Sequence, residues 1–451
     1  MKTMKYPVAL LAGLLLAAMP AAPEASAQDV LIQGGTVLTI TNGTLENTDV
    51  LVRDGRISRI GAGLDAPDGV PVVDASGKFV MPGIIDAHSH IALTSVNEGT
   101  APVTAEVSME DVVDPYDLSI YRALAGGVTA AHLMHGSANV IGGQNETIKL
   151  RYGATDPDEL RFAGAPRTIK FALGENPTRV HGLRGVNSPG RPALRPASRM
   201  GVEAVLRETF EAGKRYMEAQ DAHAAARRSN PRAVGPAYDG RLEVIADILR
   251  GEILVHCHSY RADEILMLMR VLKDYGVENI TFQHANEAFK VAPELAEFGA
   301  RASVFSDWWS YKFEVYYSTA YNAAILTRNG VTTSVNSDSG ELIRHLYHEA
   351  AKAQRYGGLT DDESLSLITI NPAIQLGIDE RVGSIEVGKD GDLAVFDQHP
   401  LSVYAVPLMT FVDGVKYFDR AADRDDMRLE INVTTNPSDE FSEQEGSVHN
   451  Q

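Results

Sequence analysis

Strand signals crowd both ends of this chain and leave the middle to a different rhythm, an arrangement that few folds accommodate. From Val30 the sequence reads VLIQGGTVLTI, DVLVRDGRISRIG and PVVDASGKFVMPG, alternating apolar runs with the Gly and Asp-Gly turns of an antiparallel sheet. The same texture returns at 383–397 (GSIEVGKDGDLAVFD) and 408–418 (LMTFVDGVKYF). Two β-rich segments flanking a long middle predict one composite β-sandwich built from both ends, 28–81 and 378–420. Across 82–377 short apolar runs such as GVTAAHLM, RTIKFAL and NITFQHA alternate with amphipathic segments such as VEAVLRETFEAGKRYMEAQ. Strand-then-helix alternation predicts parallel strands with crossover helices, and the number of units suits a distorted (β/α)8 TIM barrel in an α/β fold.

The two termini read differently. Lys2 and Lys5 precede the apolar run 8–19, and Ala25-Ser26-Ala27 follows as a small-residue cleavage site. That layout predicts a signal peptide over 1–27 and a periplasmic or secreted protein; the run is shorter than the ~20 residues of a membrane span. Residues 421–451 are polar and acidic, which predicts a mobile tail. A single cysteine, Cys257, excludes an intrachain disulfide. The net charge of −19 disfavours nucleic acid as a partner and leaves small molecules as ligands, with a homo-oligomer open.

Chemistry-bearing residues fall at or beside the ends of strand-like runs, where barrel enzymes build their sites. His88 and His90 close FVMPGIIDAHSH; Lys170 lies in RTIKFAL, His256 in EILVHCHS, His284 in NITFQH and Asp338 in VTTSVNSD. On a strand, residues i and i+2 share a face, so His88 and His90 are able to grip one ion together. Imidazoles and carboxylates suit divalent ions of the zinc type.

With GKFVMPGIIDAHSH, YRALAGGVT, the NSDSG segment and INPAIQLGID leading to VGSIEVGKDGDLAVFD, the chain resembles the amidohydrolase superfamily, in particular its imidazolonepropionase-like exported amidohydrolases and metal-dependent dipeptidases. The resemblance implies two divalent ions, zinc foremost. It assigns His88 and His90 to the first-strand pair, Lys170 to a bridging ligand carboxylated by CO2, His256 and His284 to the fifth and sixth strands, and Asp338 to the eighth. His258 competes with His256, and Lys149 is a weaker rival to Lys170. The implied reaction is hydrolysis of a C–N amide bond in a small peptide or N-acyl amino acid by a metal-bridging hydroxide, with Asp338 as the catalytic proton acceptor.

For substrate contacts, His181, Arg179 and Arg184 in the loop after Lys170 are candidates to hold a carboxylate, Tyr260 to donate to the carbonyl oxygen, and Gln144 to line the pocket. His132 and His135 have no assigned role. The aromatic stretch Trp308, Trp309, Tyr311, Phe313, Tyr316 and Tyr317 reads equally as packing or as a lid over the pocket. Opening of a cyclic amide, or deamination, is the second reading, the latter disfavoured by the lack of a glutamate after the fifth-strand histidines. A non-catalytic scaffold is the third, and a full set of apparent ligands argues against it.

Overall fold

The computed structural model describes residues 29–182, 195–309 and 311–423, so the segment expected to be a signal peptide, Arg184 and nearly all of the acidic tail lie outside the described residues. The N-terminal strands β1 (Val30–Leu38), β2 (Thr44–Arg53), β3 (Arg56–Gly61), β4 (Val72–Asp74) and β5 (Phe79–Pro82) precede the eight strands of the middle. Those are β6 (Ile84–Ser89), β7 (Val128–Leu133), β8 (Ile141–Lys149), β9 (Thr168–Ala172), β10 (Leu254–His258), β11 (Ile280–Gln283), β12 (Arg301–Val304) and β13 (Thr333–Val335). The chain then returns with β14 (Leu393–Phe396), β15 (Pro407–Val412) and β16 (Val415–Asp419).

Both ends join one sheet in the order β16-β15-β14-β5-β1-β2-β3, with β4 beside β1. This sheet encloses its own apolar core, in which Ile32, Val50, Val52 and Val80 meet Leu393, Val395 and Phe411 from the far end of the chain. A single residue, Gly83, carries the chain from β5 into β6. A Cβ there would lie 2.1 Å from the Thr129 hydroxyl, so the Thr129 side chain already fills the space that any other residue would need.

Strands β6 to β13 follow one another in sequence order around a nearly closed barrel. Side chains alternate along each strand: Ile169 and Phe171 of β9, and Val255 and Cys257 of β10, join the apolar layer under the helices. Phe171 meets Phe210 of the helix Arg199–Arg227 with ring centroids 6.1 Å apart. The intervening residues Lys170, His256 and His258 are left to the barrel interior. Cys257 is fully buried, and burial pushes its thiol well above the ordinary range, as befits a packing residue.

Two features depart from regular alternation. Strand β8 runs antiparallel to both β7 and β9, because a short loop and not a helix connects it to β7. Its last residue therefore lies at the pole opposite the strand ends that carry the histidines. The seam between β13 and β6 is closed by individual bonds: Asp338 N donates to His88 O at 3.0 Å, while Val335 N and Ile85 N donate to Leu367 O and Ile368 O of an intervening turn.

Reversal of β8 decides the role of Lys149. Its ammonium is fully buried and bonded to Asp390 at 2.7 Å, Asp392 at 3.1 Å and Asp413 at 2.5 Å, all carried by the C-terminal part of the other sheet. Burial alone would lower its pKa, but the three carboxylates outweigh that and raise it. Lys149 thus fastens the barrel floor to the terminal sheet and stands away from the histidines. Replacing it with methionine leaves three clustered carboxylates without their cation, so Lys149→Met should cost about 3–5 kcal/mol. Urea unfolding measures this, and a midpoint equal to wild type would show that the cluster does not hold the two sheets together.

Candidate metal centre

At the C-terminal pole of the parallel strands, three imidazoles from the ends of two strands, β6 and β11, converge on one carboxylate. His88 Nε2 lies 3.3 Å and His90 Nε2 3.0 Å from Asp338 Oδ1, and His284 Nε2 lies 3.4 Å from Oδ2. Lys170 reaches the same place from β9, its Nζ 3.1 Å from His88 Nε2. Among the described residues, the ligand atoms of His88, His284 and Asp338 lie within 4.8 Å of one another. His284 and Asp338 both adopt left-handed backbone, with φ of 37° and 45°, although neither is glycine. Such conformations cluster where a site over-determines the chain.

The two candidate histidines of β10 occupy different layers. His256 pairs in register with Lys170 and Thr281, whereas His258 pairs with Ala172 and Gln283, one rung nearer the mouth. His258 meets the His284 ring at 4.4 Å, and its buried Nε2 has no hydrogen-bond partner. His256 lies below, accepting from Gln283 Nε2 at 2.9 Å and facing His132 at 4.5 Å, its own buried Nε2 likewise without a hydrogen-bond partner. His132 in turn bridges Ala87 O at 3.2 Å and Thr168 Oγ1 at 2.7 Å. It is therefore His258 and not His256 that stands beside the sixth-strand histidine, because the alternation of β10 admits both to the interior but only the later one to the rim.

The residues fit a divalent ion. Burial drives the pKa of His88 and His258 well below the usual range and that of His284 to about 3, keeping their nitrogen lone pairs unprotonated. His90 Nδ1 lies 2.9 Å from Met134 O, which fixes the tautomer that offers Nε2 as a ligand. Burial pushes the Asp338 carboxyl upward, but the His90 hydrogen bond and the neighbouring His284, His90 and Lys170 hold it at about 2. Lys170 is fully buried, which lowers its ammonium to about 8 against the opposing pull of Asp338 and Cys257.

The amidohydrolase family profile matches residues 79–418, which takes in the whole barrel and the returning strands. The chain belongs to the amidohydrolase family. It is 32% identical to amidohydrolase tasK of Hapsidospora irregularis over 402 residues, which is 82% of this chain but 40% of that larger protein. A crystal structure of an amidohydrolase from Thermotoga maritima superposes with a TM-score of 0.79 at 35% identity, covering 87% of this chain and all of the other. A prolidase complexed with N-methylphosphonate-L-proline shares the fold, with a TM-score of 0.53 at 20% identity over 86% of this chain and 99% of the other.

Other sequence candidates of this amidohydrolase fall at varied distances from the centre. Tyr260 stacks on His284 at 5.0 Å and meets His258 edge-on at 4.7 Å. His181 is buried on the helix Glu175–Gly182. Arg179 of that helix is more than half exposed and pairs with Glu175 at 3.1 Å. Gln144 faces outward, its Oε1 accepting from Arg167 Nη2 at 2.8 Å, so β8 turns it away from the histidines. His135 accepts from Glu98 N at 2.9 Å and orders a loop. The aromatic stretch divides: Trp308 stacks on Phe305 at 4.6 Å and Tyr311 Oη donates to Tyr260 Oη at 2.9 Å, while Phe313 is 81% exposed.

Sequence reading missed Asp86, although it stands two residues before His88. Its buried carboxylate accepts from His88 N at 3.2 Å, from Ser337 N at 3.1 Å and from the Ser337 hydroxyl. It therefore ties the first strand to the residue preceding Asp338. Burial pushes its pKa up to about 7 in spite of those donors. Asp86→Ala leaves two N–H groups unpaired and should weaken metal binding on the order of 10- to 100-fold, with Asp86→Asn milder. Metal titration of both variants measures this; wild-type affinity in Asp86→Ala would mean that the seam does not position the centre.

Proposed function

We propose that this amidohydrolase is a binuclear enzyme of the imidazolonepropionase-like, dipeptidase-related branch, cleaving the C–N amide bond of a small peptide or N-acyl amino acid. The observation that carries the reading is the convergence of His88, His90 and His284 on Asp338 with Lys170 within reach of His88. His88, His90 and Asp338 would hold one divalent ion, His258 and His284 the other, and Lys170 would join the two. Two such ions, zinc among the suitable ones, supply a Lewis acid for the carbonyl and an acidified water near neutral pH.

The chain's own groups prepare that chemistry. An ammonium offers no lone pair, so Lys170 must first lose a proton, and its lowered pKa makes this attainable near neutrality. The neutral amine then attacks CO2; a new N–C bond forms, a proton leaves, and the product is an anionic carbamate with two donor oxygens. Asp338, ionised at working pH, is positioned to accept a proton from the attacking water and return it to the departing amine. Deamination is not favoured: the first buried glutamate after β10, Glu264, is engaged by Arg199 at 3.1 Å.

Elemental analysis of protein prepared without chelators should find about two divalent ions per chain. Asp338→Asn should keep the fold and much of the metal yet lose on the order of 10²–10⁴-fold in turnover. His258→Ala should lose metal and activity together, while His256→Ala should be milder. An active Asp338→Asn enzyme would refute the proton role, and a stoichiometry of one unchanged by zinc and bicarbonate would refute the binuclear centre. The substrate class is tested by mass-detected hydrolysis of dipeptides and N-acyl amino acids. Export is also part of this reading, and intact mass of protein from a bacterial periplasm should give a chain beginning at Gln28.

A further inference from the structure

The loop after β12 carries a cation over the metal centre that nothing above employs. Lys312 is only 12% exposed, and its Nζ sits 4.2 Å from the centroid of the Tyr260 ring. That same ring contacts His258 and His284, so a single aromatic ring separates the ammonium from two of the proposed ligands. Lys312 Nζ donates to Asn176 Oδ1 at 3.1 Å, which accounts for one of its three hydrogens.

Its other neighbours do not neutralise it closely. Glu175 Oε1 is 3.8 Å away, beyond hydrogen-bond range, and the other oxygen of Glu175 pairs with Arg179. Glu314 Oε1 is engaged by Arg199 and by the amide of Glu175, at 2.9 Å from the latter. The contrast with Lys149 is instructive: that buried lysine has three carboxylates within 3.1 Å. A buried ammonium with one hydrogen bond, to a neutral amide, and two nearby carboxylates, Glu314 and Glu175, that are each bonded elsewhere retains donors that demand an acceptor.

An N-acyl amino acid supplies one. Its α-carboxylate is separated from the scissile carbonyl carbon by the amide nitrogen and Cα alone, so a carbonyl placed at the metal centre keeps the carboxylate close enough for a cation one ring away to receive it. We infer that Lys312 anchors the free α-carboxylate of the amino acid on the leaving-group side, selecting N-acyl amino acids and dipeptides over neutral amides. This rests on the amide-hydrolase reading above. It gives to Lys312 the role that the sequence offered to Arg179, which faces solvent.

Two measurements test the assignment. Calorimetry on metal-loaded wild-type protein compares a set of N-acetyl amino acids with their primary amides, and the free acids should bind more tightly. Kinetics then compares wild type, Lys312→Met and Lys312→Arg on the same pairs. In Lys312→Met, KM for the acids should rise on the order of 10- to 100-fold with kcat little changed, while the amides are unaffected; the arginine variant should retain most of the preference. Equal wild-type binding of acids and amides overturns the proposal without recourse to any variant, as does a Lys312→Met enzyme that keeps its preference for acids. If no amide is hydrolysed by wild type, the amide-hydrolase reading falls, and the calorimetric preference still decides whether Lys312 receives a carboxylate.

Discussion

A buried carboxylate at the barrel seam is the interaction on which the rest of the structure depends. Asp86 accepts from the backbone of His88 and from both donors of Ser337, and so joins the first strand to the last where no continuous ladder does. Burying a carboxylate is costly, and the rise of its pKa to about 7 records that cost. The return is geometric. His88 and Asp338 come from strands at opposite ends of the barrel sequence, and this closure, with the backbone bond from Asp338 N to His88 O, holds their side chains 3.3 Å apart.

Much of this architecture was legible because periodicity reports it directly. Alternating apolar residues marked the terminal strands, and the long middle carried the repeating unit of a barrel. His88, His90, His284 and Asp338, which the structure brings together, could be singled out because each sits beside a strand end, where side chains of distant segments converge. Reversal of β8 was not legible: IGGQNETIK has the composition of any buried strand, and direction is set by the length of the preceding connection. Gln144 was misjudged for that reason, since an outward-facing position on a reversed strand looks like any other residue of the run. The choice between His256 and His258 also lay beyond pattern, because both share a face and only the register with β9 and β11 separates rim from floor. Asp86 escaped because a carboxylate two residues before a histidine reads as a further ligand or as nothing.

The interior histidines form two storeys. The upper storey, His88, His90, His258 and His284, surrounds Asp338. In the lower, His132 and His256 are packed ring to ring and tethered to Thr168 and Gln283. Burial keeps His132 and His256 unprotonated, so the lower storey adds polar, unyielding support without adding charge beneath the metal centre.

The direction of β8 has a consequence for selectivity among amines. Lys149 and Lys170 are both buried barrel lysines, close in sequence and on neighbouring strands, yet they meet opposite surroundings. At the floor, three aspartates hold Lys149 as an ammonium, with no lone pair to offer an electrophile. On the side of the histidines, Lys170 lies against the His88 imidazole and burial lowers its ammonium to about 8. Burial thus brings the neutral amine of one lysine closer to the physiological range and leaves the other an inert cation. The choice between them is written in the polarity of one strand.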